Sequence, residues 1–185
     1  MKIFEKIGPE NTQETIEIAL NKAIELDTDI VFASSTGKTA LEILKVAKEK
    51  NFKNKLVMIS LAYGYPNPGE NRLDETLRKE LESQGIHIIT AAHVLSGAER
   101  GISKVYKTIS PVEIMADTLR MISRGIKVCV ECATMALDAG AIDYQKAVVC
   151  IGGSGAGADA ACVMTPEYAH NILKTKVHEF LCMPY

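Results

Sequence analysis

The chain has 185 residues, a length that suits one domain with a full hydrophobic core. With 47% hydrophobic and 24% charged residues, the composition is typical of a globular protein, and no apolar run is long enough to span a bilayer. A net charge of −2 argues against nucleic-acid and membrane-surface partners, which need a basic field. An odd number of cysteines, scattered among apolar neighbours, predicts reduced thiols and a cytoplasmic location.

Predicted strands and helices alternate along the chain. Apolar periodicity predicts helices over residues 11–26, 40–50, 72–83, 111–123 and 132–139, with a last helix beginning at Thr165. Short apolar runs predict buried strands over residues 29–33, 55–61, 86–90, 127–130, 147–151 and 160–164. Helix-start signals are clearest at Ser110-Pro111-Val112-Glu113, and Asn11 with Glu14 suggests a second capping box. The alternation predicts one α/β domain over residues 1–185, with a mainly parallel sheet covered by helices on both faces.

The loop between the first predicted strand and the next helix carries the strongest functional signal. Its residues are all small, hydroxylic or charged: Ser34, Ser35, Thr36, Gly37, Lys38 and Thr39. Free N–H groups at a helix start, the helix dipole, hydroxyl donors and a lysine charge together predict a phosphate site. A plain polar helix cap is the alternative, because Ser and Thr favour helix starts in any case.

Gly37-Lys38-Thr39 has the end of a P-loop motif without its beginning. That motif requires a glycine five residues before Gly37, and Phe32 occupies the position. The loop is therefore too short to surround a triphosphate, and we expect it to hold a single phosphate.

A second glycine-rich loop follows the strand predicted over residues 147–151. Its sequence formally matches a dinucleotide fingerprint, but too little chain follows it for a second strand and a ribose-binding acid. We interpret the loop as a backbone nest for a ligand, lying beside the first loop. A flexible turn before an edge strand is the alternative. The candidate ligand-binding residues are Gly153, Ser154, Gly155, Gly157 and Asp159.

Several further residues leave predicted strands at the same edge of the sheet. Tyr63 and Tyr65, on either side of Gly64, could flank a flat ring or simply pack their own loop. His93 could meet a ligand, although a lone histidine is more often structural. Glu131 could act as a base or cap the following helix.

Cys129 and Cys132 have C-x-x-C spacing. A zinc site would normally need a second pair of ligands, and a redox pair needs both thiols at a helix start. Since Cys129 falls in a predicted strand, we interpret both as core thiols, with redox activity as the less favoured alternative, and expect no metal site. No catalytic residue can be assigned from spacing alone.

Two motifs, Ser35–Ala40 and Ile151–Asp159, resemble the C-terminal α/β domain of pyruvate kinase. Two longer motifs, Pro111–Arg120 and Met135–Gly140, make nearly the whole chain similar to small stand-alone archaeal proteins of that fold. The resemblance implies a three-layer α/β/α sandwich with a mostly parallel five-stranded sheet, whose antiparallel last strand suits residues 160–164. The catalytic barrel of pyruvate kinase is absent, so its activity is not implied.

The resemblance also implies a ligand. In the pyruvate kinase domain the hydroxyl-rich loop holds a phosphate of a sugar bisphosphate activator, and structures of the stand-alone proteins are associated with flavin mononucleotide (FMN). FMN is therefore the expected cofactor, in a flavin-binding protein that could be a flavin-dependent oxidoreductase. The alternative is a non-catalytic sensor of a sugar phosphate. Apolar residues over 114–122 and 133–139 additionally predict a homo-oligomer.

Overall fold

The computed structural model describes residues 1–185 and contains one mixed β-sheet with helices on both faces. The strands are β1 (Lys2–Phe4), β2 (Ile30–Ala33), β3 (Leu56–Ser60), β4 (Ile86–Thr90), β5 (Val148–Gly152), β6 (Ala160–Thr165) and β7 (Lys176–Pro184). The α-helices are α1 (Thr12–Leu26), α2 (Lys38–Glu49), α3 (Glu75–Ser83), α4 (Ala98–Tyr106), α5 (Pro111–Ile122) and α6 (Arg124–Asp138). Short 3-10 helices cover Pro9–Asn11 and Ala169–Lys174. No helix is both long and apolar enough to cross a membrane.

The sheet has the strand order β1-β7-β6-β5-β2-β3-β4. Strands β5, β2, β3 and β4 run parallel to one another, as the alternation of strands and helices predicts. Strand β6 is antiparallel to both β5 and β7, and β1 pairs in parallel with β7 at the edge. The antiparallel direction expected for residues 160–164 is confirmed.

Strands β2, β3, β5 and β6 bury both of their faces, which explains their short, continuous apolar runs. In β2, Ile30 and Phe32 pack with α1, α2 and α3 on one face, whereas Val31 points into the cluster formed with α6 on the other. The three-layer α/β/α arrangement follows from this division of the core.

The strand predicted over residues 127–130 is wrong, because these residues lie in the middle of α6. The helix begins after Ser123, whose side chain accepts a hydrogen bond from the N–H of Gly125 at 3.2 Å. Twelve of its fifteen residues are buried, so the apolar run lacks the polar face that would reveal a helical period. The helix predicted over 132–139 is the second half of the same element.

The sheet has seven strands rather than the five that the resemblance implies. The two unpredicted strands are β1 and β7, which pair with each other. The helix predicted from Thr165 is also wrong, because that segment forms a 3-10 helix and then β7. Lys176–Glu179 alternates little in burial and is largely exposed, so β7 gives no clear strand pattern at its start.

Smaller corrections concern helix starts and packing. The capping box at Ser110 and Glu113 is confirmed, whereas Asn11 makes no side-chain cap and instead donates to the Lys6 carbonyl. Helix α3 begins later than predicted, after Asp74, which accepts hydrogen bonds from two N–H groups of its first turn. Helix α5 packs mainly on α6 rather than on the sheet.

Candidate functional site

The chain reverses the direction in which it builds the parallel sheet at strands β2 and β5. From β2 the chain adds β3 and then β4 on one side, and it returns through α6 to place β5 on the other side. Helix α2 covers one face of the sheet and α6 the other, and we call the surface between them, at the carboxyl ends of β2 and β5, the crevice. Ligands of open α/β sheets bind at such a switch point.

The two loops singled out from the sequence both lie at this crevice. The register pairs Phe32 with Ile151, so the segments that follow β2 and β5 leave neighbouring strands side by side. Adjacent strands lie about 4.8 Å apart. The expectation that the second glycine loop lies beside the first is confirmed.

The first loop, residues 34–39, contains a run of hydrogen-bond donors that have no acceptor within the chain. The N–H of Ser34 still bonds to the carbonyl of Ile59 at 3.1 Å, and the first helical bond of α2 runs from Leu41 to Gly37 at 3.1 Å. None of the backbone N–H groups between them, from Ser35 to Ala40, has an acceptor within the chain. The loop hydroxyls also form no hydrogen bond, and Lys38 is exposed and makes no ion pair. This is the donor array that the sequence predicts for a phosphate site.

Gly37 has a packing role that the sequence did not reveal. Its φ of +84° lies in the left-handed region, and a Cβ there would sit 2.6 Å from a methyl carbon of Leu77. Leu73, which is buried, approaches the same position at 3.1 Å. The glycine therefore allows the segment before α3 to cover the start of α2, in addition to leaving the N–H groups of the loop open.

The second loop, residues 153–158, is folded tightly against its surroundings. A Cβ on Gly153 would lie 2.2 Å from the carbonyl oxygen of Gly157, and one on Gly157 would lie 2.3 Å from the hydroxyl of Thr12. Gly155 differs, because nothing lies within 4 Å of its Cβ position and its φ is +133°. Gly155 therefore forms the open tip of the loop, while the other two glycines permit close packing.

Asp159 holds this loop in place from inside the protein. The carboxylate is fully buried and accepts hydrogen bonds from the N–H of Gly8 at 3.3 Å and the hydroxyl of Ser154 at 3.2 Å. Burial raises the pKa of Asp159 above its usual range, and these two hydrogen bonds oppose the shift. The buried carboxylate supports the loop and is not open to a ligand in the crevice.

His93 and Glu131 lie together, away from the two loops. Glu131 is buried in α6, where it accepts hydrogen bonds from Leu95 N–H at 3.0 Å and Lys127 Nζ at 2.6 Å. The His93 Nδ1 lies 3.6 Å from the same carboxylate. Glu131 is six residues beyond Gly125, or about 9 Å along the helix axis. The prediction that Glu131 leaves a strand end is therefore wrong, because Glu131 lies in the middle of α6. His93 contacts α6 at this residue.

Tyr63 and Tyr65 project from the loop that follows β3. They are 60% and 62% exposed, and no other aromatic ring stacks on them. Gly64 between them has a φ of +85° and donates its N–H to the carbonyl of Glu70 at 2.9 Å. This bond closes the loop at the carboxyl end of β3, next to β2 and its phosphate-site candidate.

Two arginines near the crevice were missed in the sequence. Arg78 of α3, with 13% of its side chain exposed, donates a hydrogen bond to Thr90 at the carboxyl end of β4. Arg124 is exposed at the start of α6, next to Gly125, which packs directly against Gly152. Because residues 127–130 were predicted as a strand, the sequence did not reveal that Arg124 begins a helix at this edge, and no motif marks Arg78.

The interpretation of Cys129 and Cys132 as core thiols is confirmed. Both are buried on the sheet-facing side of α6, and burial raises the pKa of each thiol well above its usual range. Cys150 and Cys162 face each other across β5 and β6 in the same cluster. No group of three or more His, Cys, Asp or Glu side chains is arranged to hold a metal ion.

No family model matches the sequence. A pyruvate kinase is among the solved structures that the chain resembles. This structure, Cryptosporidium parvum pyruvate kinase in complex with ADP, has 12% sequence identity and a TM-score of 0.37, with 97% of this chain and 25% of the pyruvate kinase chain covered. The chain thus spans a quarter of that enzyme's length. The likeness is too weak to carry over an activity or a ligand, and the similarity to archaeal proteins stays a prediction.

Two clefts of the molecule lie away from the two loops. One of about 670 Å³ contains Thr165 and His178 and opens at the opposite end of the sheet. Another of about 510 Å³ lies between His93 and the second half of α6. The crevice between β2 and β5 is instead a shallow surface whose chemistry is that of N–H groups, hydroxyls and nearby cations, which suits an anion.

Proposed function

We propose that this protein binds a phosphorylated small molecule, with FMN as the expected ligand, at the crevice between residues 34–39 and 153–157. The observation that carries the proposal is the run of N–H groups from Ser35 to Ala40 that have no acceptor within the chain. Backbone donors at the start of a helix ordinarily find a cap, water or a ligand. A phosphate oxygen satisfies several of them at once and lies at the positive end of the α2 dipole.

The surroundings of the loop favour a single phosphate. The exposed ammonium of Lys38 and the guanidinium of Arg124 supply positive charge from the two sides of the crevice. Only four residues separate β2 from α2, which is too short a loop to wrap a triphosphate. Gly155, at the open tip of the second loop, allows its backbone to approach the ligand from the β5 side.

The residues present suit the phosphate end of FMN better than its ring. Tyr63 and Tyr65 leave the strand next to β2 and offer two aromatic faces to a flavin ring. When bound, FMN would supply hydride or single-electron transfer, which is the chemistry of the cofactor itself. In this proposal the chain binds and orients the phosphate, and whether it is an enzyme stays open because no catalytic residue is assigned.

A non-catalytic sensor of a sugar phosphate is the second candidate. The observation that favours it is the exposure of both tyrosines, because neither ring is packed into an enclosed slot that could hold a flavin. A sugar phosphate needs only the donor array and a polar rim. Both candidates use the same phosphate site, and they differ in what the rest of the ligand contacts.

The proposal is tested by titrating the purified protein with FMN and with riboflavin, which lacks the phosphate, while flavin fluorescence is recorded. Charge-assisted hydrogen bonds contribute roughly 1.5–3 kcal/mol each, so two of them predict FMN binding at least 100-fold tighter than riboflavin binding. Glucose 6-phosphate and inorganic phosphate, followed by thermal shift, distinguish the sugar-phosphate candidate.

Thr36→Asp places a carboxylate where the phosphate is expected to lie, at a helix start that tolerates acidic residues. We expect this variant to lose phosphate-dependent binding and to keep its melting temperature. Thr108→Asp, which alters an exposed hydroxyl between α4 and α5, is the matched control and should bind as the wild type does. Equal affinity of Thr36→Asp and wild type for FMN and for sugar phosphates would show that the loop is only a helix cap.

A further inference from the structure

Exposed hydrophobic side chains are concentrated on helices α4 and α5. Of the eighteen large hydrophobic residues that are exposed, seven lie between residues 102 and 122. We call these seven the α4–α5 surface: Ile102, Val105, Tyr106, Ile109, Ile114, Met121 and Ile122, each between 43% and 85% exposed. Single exposed hydrophobic residues are ordinary, whereas a concentration of this kind marks an interaction site.

Helix α4 is amphipathic, but its apolar side faces away from the protein. Ile102, Val105 and Tyr106 follow the i, i+3, i+4 spacing of one helix face, and all three are more than half exposed. The only buried residue of the helix is Ser103, which donates a hydrogen bond to Glu113 of α5 at 2.5 Å. Helix α4 therefore meets the rest of the chain through a polar contact and leaves its apolar face uncovered.

Helix α5 has one covered and one uncovered apolar side. Ala116 is buried and Leu119 packs against the α6 cluster, so this side holds the helix to the domain. Ile114 and Met121 lie on another side and are exposed. Ile109, which is 73% exposed, lies in the short connection between the two helices.

We propose that the α4–α5 surface is covered by the same surface of a second copy of this chain. If a fully exposed large residue presents on the order of 150–200 Å², the seven exposed fractions amount to roughly 700–900 Å² of accessible surface, most of it apolar. A standard protein interface buries about 800 Å² on each partner. The largest apolar patch of a typical monomer is about 300–600 Å². The area therefore matches one partner of comparable size.

A two-fold contact is the commonest symmetry of homo-oligomers. In such a contact α4 of one copy lies on α5 of the other. Asp117 of α5 already forms an ion pair with Arg120 of the same helix, so the apolar area, and not charge, carries the proposed pairing. Two paired helical hairpins give the four-helix arrangement that commonly buries such stripes.

This assignment also corrects the reason for expecting a homo-oligomer. Residues 133–139 entered that prediction as apolar surface, but most of them are buried in α6 against the sheet. Helix α4 provides the exposed apolar area that residues 133–139 do not.

Light scattering coupled to size-exclusion chromatography tests the proposal on the full chain. The wild type, of 20.1 kDa per chain, should have twice that mass at micromolar concentration. Val105→Asp and Met121→Asp each place an uncompensated charge on the surface and should give the mass of one chain with an unchanged circular dichroism spectrum. Leu173→Asp is the matched control, because Leu173 is 87% exposed and lies outside the surface.

Hydrogen exchange of the wild type provides a measurement that needs no variant. Protection of residues 98–122 should rise with protein concentration, while that of residues 169–174 should not change. A wild type that stays monomeric overturns the proposal, including a monomer that binds phosphatidylserine vesicles through this surface. An oligomer whose mass neither aspartate variant lowers, or whose protection changes fall outside residues 98–122, overturns it as well.

Discussion

The two loops at the crevice are similar in composition and differ in how their polar groups are used. In the loop after β2, six consecutive N–H groups from Ser35 to Ala40 have no acceptor. In the loop after β5, the N–H of Ala158 bonds to the hydroxyl of Thr12 at 3.0 Å, and Asp159 receives bonds from Gly8 and Ser154. The donors of the first loop have no internal acceptor, whereas the second loop is held by internal hydrogen bonds.

This difference shows that glycine and hydroxyl residues have two separate uses at one edge of a sheet. Glycines of the second loop allow backbone segments to approach at distances that no Cβ tolerates. The hydroxyls of the first loop contribute nothing to internal bonding and are free for a ligand. Substitutions in the second loop should therefore change stability first, and substitutions in the first loop should change binding first.

The largest effect is expected for Gly152→Ala, at the last residue of β5, where the second loop begins to leave the sheet. A Cβ at Gly152 would lie 2.2 Å from the carbonyl oxygen of Gly125, so α6 and β5 must separate. We expect a loss of about 3 kcal/mol in the free energy of unfolding. Gly155→Ala, in open space but at positive φ, is the matched control and should lose about 1 kcal/mol. Urea denaturation measures both, and equal losses would contradict the description of a packed loop base and an open tip.

An intermediate effect, visible as a pH dependence, is expected for Asp159→Asn. Burial raises the pKa of folded Asp159 above the ordinary value of 3.8, so the folded protein holds this proton more tightly than the unfolded chain. The contribution of Asp159 to stability is therefore greatest in acid and declines as the pH rises from about 4 through its folded pKa.

Asparagine cannot ionise and still offers an acceptor to Gly8 and a donor to the Ser154 hydroxyl. Relative to wild type, the stability of Asp159→Asn should therefore rise between pH 4 and pH 7, as measured by urea denaturation at each pH. The difference between the two proteins removes the titration of all other groups. A relative stability that falls with pH would mean that the folded carboxylate is favoured, contrary to the burial described here.

The smallest effect on stability is expected for Thr39→Val in the first loop. The hydroxyl of Thr39 makes no internal hydrogen bond, and valine has nearly the same shape. The free energy of unfolding should therefore change by less than about 0.5 kcal/mol. Affinity for FMN should fall about 10-fold, because one ligand hydrogen bond is lost. Calorimetry and fluorescence titration measure the two quantities. A large loss of stability would place Thr39 with the supporting residues of the second loop.

The sequence predicted the first loop well because its signals are local. The apolar run ending at Ala33, the polar residues 34–39 and the amphipathic helix that follows are contiguous. The structure contains the strand and the helix in those places. The strands of the parallel half were predicted for the same reason, since each is a short apolar run between turn residues.

What the sequence could not predict depends on partners far along the chain. Gly8 and Thr12 support a loop that lies about 150 residues later, and neither carries a motif that points to it. Part of helix α6 was predicted as a strand because burial on most sides of the helix removes the alternation of apolar and polar residues on which helix prediction relies. The use of Gly37 as a contact for Leu77 likewise depends on the packing of a distant segment.

Through the pairing of β1 with β7, the second loop at the crevice is connected to the outer edge of the sheet. Lys2 lies in register with Cys182, and the chain leaving β1 leads directly to Gly8, Pro9 and Thr12. These residues contact the second loop and hold its conformation. Loss of the pairing between β1 and β7 should therefore loosen the second loop, three strands away in the sheet, without changing any residue of the first loop.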